Sequence, residues 1–244
     1  MRHDLARIEF DPELTPGAKN AVNVCLRVRR PERVTVIADV ACLEIAASLV
    51  RELRLTGAPH RAFVLEDCAP RPLAAMPKEI LEDMELSQVS IFAVRPQANE
   101  LKTRMQMTDV VNRRKMRHAH MVNIERRIML EGMRADFLKV DALSVKVLEL
   151  ASAARVVKAT TTAGTDIRAD MNPNYKWIKT SGIISPNKWG NLPGGEVFTT
   201  PGEVNGTFVI DGVVGDYLCE KYGDLRDSPL TIHVKGSRLV DAHS

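Results

Sequence analysis

Between residues 33 and 117, short apolar runs rich in β-branched residues alternate with segments of helical period, and this alternation restricts the possible folds most. Arg33-Val34-Thr35-Val36-Ile37-Ala38 follows Arg-Pro-Glu and reads as a buried strand. Leu43 to Leu55 places apolar residues at 45, 46, 49, 50 and 53, a helical spacing, and Gly57 stands where helices end. Residues 61–65 and 87–94 are further strands, the second closed by Pro96, and helices are expected at Pro77 to Met84 and Glu100 to Arg117. Strands separated by helices imply a parallel sheet with helices packed on it. Ligands of such sheets lie beyond the carboxyl ends of the strands. Neither GxGxxG nor a Walker A sequence is present to supply a phosphate cradle.

The pattern changes near residue 134. One more helix, Ala142 to Ala154, precedes strand candidates at 155–161, 166–170, 206–211, 230–234 and 238–241, with Lys235-Gly236-Ser237 as a hairpin turn. The fold class is therefore α/β: an N-terminal open, mainly parallel sheet with flanking helices, residues 1–133, followed by a β-rich α+β second domain, residues 134–244. At 244 residues and 45% apolar composition the chain is long enough for a real core. Its net charge of +3 is dispersed, and the basic run Arg113 to Arg117 reads as a solvated helix face, so no nucleic-acid partner is expected. No stretch is apolar enough to span a membrane, and no secretory leader is visible. The cysteines at 25, 42, 68 and 219 form no CxxC pair and read as reduced thiols, which makes the cytoplasm the expected compartment.

Three segments could carry chemistry. Trp189 to Pro201 places Glu196 after Gly194-Gly195 and beside Val197-Phe198, on a loop stiffened by Pro193 and Pro201. A carboxylate so held suits a metal ligand or a general base, against the plain reading of a loop glutamate in water. Asp166 and Arg168 alternate with Ile167 and share one face of a strand, where they either line a cleft or pair with each other. The pair His118-Ala119-His120 is expected not to chelate one metal. On a strand the rings are taken to face opposite sides, and on a helix they stand about 200° apart. His233 reads as a surface strand residue and His243 as part of the tail. HExxH, GxSxG and a catalytic Cys–His signature are absent.

Gly164-Thr165-Asp166-Ile167, then Asn191-Leu192-Pro193-Gly194-Gly195-Glu196-Val197-Phe198 with Pro201, then Asn205-Gly206-Thr207-Phe208-Val209-Ile210-Asp211-Gly212 resemble the thermophilic metalloprotease family, the aminopeptidase T group. Arg117 to Met121 and Met129 to Met133 with Asp136 are similar too. The resemblance implies a cytoplasmic, homodimeric metallo-aminopeptidase acting on peptides through a water activated by two divalent metals (Zn, Co or Mn), with Glu196 as a metal ligand. Asp166 and Arg168 would then be cleft residues or support the ligands. Members of that family continue into a segment that completes the metal pair, and this chain stops at Ser244 before it, so one ligand is named and the second domain is expected to be incomplete. Ring-opening dioxygenases of dihydroxypyridines, which use a single Fe(II), look like distant relatives and give the alternative reading. That branch is taken not to keep the motif glutamate, so Glu196 favours the peptidase. A shortened, non-catalytic relative is the third reading.

Overall fold

The computed structural model describes residues 2–186 and 189–244. The strands described are β1 Val34–Ala38, β2 His60–Val64, β3 Val89–Val94, β4 Arg117–Val122, β5 Val156–Thr160, β6 Asp166–Asp170, β7 Ile178–Thr180, β8 Gly190–Asn191, β9 Glu196–Phe198, β10 Glu203–Ile210, β11 Leu230–Lys235 and β12 Arg238–His243. The chain divides into two compact units. The first is Met1–Val145 with Lys179–Glu196, and the second is Lys146–Ile178 with Val197–Ser244. The expected class is observed: a parallel sheet flanked by helices, and a separate antiparallel sheet.

In the first unit the strands run in the order β2-β1-β3-β4-β8, all parallel. Every residue of β1 and β3 is buried, as expected for central strands covered on both faces. One face packs against the helix Leu43–Thr56, whose Ile45, Leu49 and Leu53 point inward, and against the N-terminal helical segment through Leu14, Val22 and Leu26. The other face packs Ile37, Phe63 and Phe92 against Met84 and Met107 of the helices Lys78–Glu85 and Leu101–Arg114. Gly182, at φ +85°, lies so close to buried Phe137 that a Cβ there would come within 2.5 Å of the ring.

The expected helix Glu100 to Arg117 ends sooner than its period suggested. It stops at Arg114, Lys115 adopts a left-handed conformation at φ 52°, and the chain turns into β4, a strand the pattern did not disclose. Arg117 closes that strand's start by donating to Glu32 and to the carbonyl of Leu26.

The strand order reverses direction between β1 and β3, where open α/β sheets place their ligand crevice. Here that position holds a closed ion network. Buried Arg71 donates to Asp39 just after β1 at 2.8 Å, to Glu66 at 3.2 Å and, through both ends of its fork, to Glu100. Asp39 also accepts the Arg95 N–H, just after β3, at 2.7 Å. Burial pushes the Glu100 carboxyl up, but the Arg71 hydrogen bonds and the Gln97 and Leu73 N–H groups outweigh it and hold it down at about 2.

The second unit is a five-stranded antiparallel sheet in the order β12-β11-β10-β6-β5, with the helix Gly215–Tyr222 inserted between β10 and β11. Gly206 sits in its centre at φ +126°, where a Cβ would lie 2.3 Å from the Asp166 carbonyl oxygen, so β10 and β6 approach there only because the side chain is missing. All four cysteines are free thiols, and burial pushes those of Cys25, Cys42 and Cys68 up to about 12. Among the described residues no helix is long and apolar enough to cross a membrane.

Candidate metal centre

The hairpin β11–β12 gathers metal-ligating side chains. Among the described residues, His233, Asp241 and His243 each offer a ligand atom, and these atoms lie within 4.8 Å of one another. The register shows how they meet. From the turn, Lys235 pairs with Arg238 and Val234 with Leu239, so regular pairing would set His233 opposite Val240 and Asp241 opposite Ile232. The register shifts between His233 and Val234, and His233 instead pairs with Asp241. One extra residue, Val240, is thus accommodated as a β-bulge in β12, and Asp241 and His243 come round to the face of His233.

Neighbouring groups hold these side chains. Thr207 of β10, directly opposite His233, lies with its Oγ1 3.1 Å from His233 Nδ1, so Nε2 is the ring nitrogen that could take a metal. Asp241 Oδ2 lies 3.2 Å from His243 Nδ1, and the two imidazoles are 5.5 Å apart between centroids. His233 is half-buried, and Asp241 and His243 are exposed. Two imidazoles and one carboxylate on one face, with the remaining directions open, is the donor set of non-haem Fe(II) oxygenases. The residues present therefore fit a single divalent metal.

Asp166 pairs with Thr207 and Arg168 with Asn205 across β6–β10, so both stand on the sheet face that carries the cluster. They do not pair with each other: Asp166 receives Lys158 at 3.1 Å, and Arg168 donates to Asp170 at 2.8 Å. Glu196 opens β9, is exposed and accepts the Thr180 hydroxyl at 3.4 Å.

The reading of His118 and His120 needs correction. Side chains two apart on a strand share a face, because the strand period is two. In β4 the two rings are neighbours, with His118 Nε2 3.2 Å from His120 Nδ1 and Ser90 Oγ 2.8 Å from His118 Nδ1.

A model of the NicX family, 2,5-dihydroxypyridine 5,6-dioxygenase, matches residues 106–242, more than half of the chain. The chain belongs to this family. NicX-like architecture extends beyond the matched segment. The structure is similar to that of 2,5-dihydroxypyridine dioxygenase from Pseudomonas putida KT2440, with a TM-score of 0.68 at 14% identity, covering 94% of this chain and 67% of that one. It is also similar to wild-type AmpT from Thermus thermophilus, with a TM-score of 0.61 at 14% identity, covering 96% of this chain and 72% of that one. At such identities both likenesses show a shared fold. No curated protein matches the sequence.

The family overturns the expectation of a protease. The matched family is a dioxygenase, an oxidoreductase, and neither hydrolase nor peptidase chemistry follows from a fold shared with AmpT. The aminopeptidase reading rested on motifs at residues 164–167, 191–201 and 205–212 and on the presence of Glu196. Those motifs weigh less than a family match over residues 106–242.

Proposed function

We propose that this NicX-family chain is a metal-dependent, ring-opening dioxygenase of a dihydroxylated pyridine, with one Fe(II) held by His233, Asp241 and His243. The carrying observation is the two-histidine, one-carboxylate cluster built by the bulge in β12, in a chain whose family match includes His233 and Asp241. Iron held there would supply the Lewis-acid and redox chemistry that activates dioxygen. The overall reaction would place both atoms of dioxygen in the opened product as one ring bond breaks, so it would need no external reductant.

The chain's own groups have separable tasks. Asp241 brings the negative charge that offsets the cation. His233 is fixed in rotation by Thr207, so that it presents Nε2 without reorganising. Asp166 and Arg168, on the same sheet face, provide charged groups for orienting a polar ring.

The test is anaerobic Fe(II) titration against a competing chelator, followed by oxygen uptake and loss of 2,5-dihydroxypyridine absorbance. One metal per chain is expected, lost in His233→Ala and Asp241→Asn. Thr207→Val should weaken affinity about 10-fold, the usual effect of removing such a supporting hydrogen bond. Turnover that survives in Asp241→Asn would refute the ligand assignment. Iron binding without oxygen uptake would refute the substrate reading.

A further inference from the structure

The first unit contains a cavity of about 500 Å³ that the metal cluster does not use. Its walls include Arg104, His120, Trp189, Asn191 and Pro193, and among the described residues no carboxylate lines it. The volume suits a small organic ligand.

Three features define its chemistry. Arg104, on the helix Leu101–Arg114, has its Nε buried without a hydrogen-bond partner, and among the described residues its guanidinium meets no carboxylate. A desolvated cation edge of that kind lacks an anion. His120 stands beside it as the end of a relay from Ser90 through His118, its Nδ1 engaged by His118 and its Nε2 left over. Burial first, and then the Arg104 charge, push the His120 imidazole down to about 4, so Arg104 is the cation of the cavity at neutral pH. The third feature is aromatic. Phe92 stacks on His120 at 5.5 Å and 14°, and Trp189 is tilted against the same ring at 5.2 Å and 55°. Flat ring surfaces beside a single guanidinium suit a planar ring bearing one oxyanion, because the guanidinium fork matches a carboxylate bidentately.

We infer that this cavity binds a planar aromatic monocarboxylate, with the ring against Trp189 and His120 and the carboxylate on Arg104. The inference does not rest on the dioxygenase reading, because it uses no residue of the metal cluster.

The probe is benzoate, titrated into metal-free 244-residue chain carrying Trp177→Phe, so that Trp189 is the remaining indole and reports by fluorescence. Saturable quenching is expected. Arg104→Gln removes no existing hydrogen bond of the guanidinium Nε, so the fold should persist by circular dichroism while benzoate binding weakens on the order of 10- to 100-fold, the effect of losing a charge-assisted pair. Benzamide should bind as weakly to the parent as benzoate does to the variant, and cyclohexanecarboxylate more weakly than benzoate. His233→Ala should leave benzoate binding unchanged. No saturable binding, equal affinity in Arg104→Gln, or loss of binding in His233→Ala would each overturn the assignment, and equal affinity for cyclohexanecarboxylate would overturn its aromatic part.

Discussion

Acid should destabilise the first unit well before its carboxylates protonate, because two neutral histidines are built into its sheet. His118 is fully buried between Ser90 and His120, and burial pushes its imidazole well down. The neighbouring His120 adds to this. Burial and Arg104 push His120 down to about 4 from an ordinary 6.5. In the unfolded chain both rings take up a proton below about pH 6.5, whereas in the folded chain both stay neutral. The unfolded state therefore binds more protons, and stability falls as pH falls from about 6.5 towards about 4. For His120 alone the drop corresponds to about 3 kcal/mol, and to about 2 kcal/mol once the partial exposure of the ring is allowed for. With both histidines the limiting slope is about 2.7 kcal/mol per pH unit, twice the single-proton value. Urea unfolding followed by Trp189 fluorescence in the Trp177→Phe background, at pH values from about 7.5 to about 5, measures that slope. His120→Gln should remove about half of it, whatever its effect at neutral pH. A parent stability that stays flat between about pH 6.5 and 5, or a variant that keeps the full slope, would refute the reasoning.

Two further changes probe the two units separately. Arg71→Met should cost about 3–5 kcal/mol in urea unfolding, because it leaves Asp39 and Glu100 buried without their cation, and a loss below about 1 kcal/mol would mean that water replaces the guanidinium. Deletion of Val240 removes the extra residue of the bulge, so β11 and β12 should pair regularly and carry Asp241 and His243 to the opposite face from His233. The hairpin should survive by circular dichroism while chelator-competed Fe(II) binding is lost, and retained binding would show that the bulge does not build the cluster.

How much of this was legible in the sequence follows from how local each signal is. β1 and β3 are covered on both faces, so they read as unbroken apolar runs and were found. β4 carries Arg117 and His118, polar groups whose partners Glu32, Leu26 and Ser90 are far away in the chain, and so its start looked like the end of a helix. Lys115 adds to this, since it takes a left-handed turn without the glycine that usually announces one. The metal cluster is the sharper case. His233, Asp241 and His243 are plain in the sequence, but regular alternation counted from the Lys235-Gly236-Ser237 turn assigns them to two faces, and only the bulge reunites them. A bulge is a property of two strands together, and no single segment encodes it visibly. Glu196 shows the converse. Its loop of glycines and prolines is conspicuous in the sequence, and within its own unit its carboxylate accepts a threonine hydroxyl. Conspicuous loop chemistry drew attention to Glu196, whereas the grouping of His233, Asp241 and His243 depends on a one-residue offset between two strands. The reaction class is then better argued from cross-strand register than from the motif that first attracts notice.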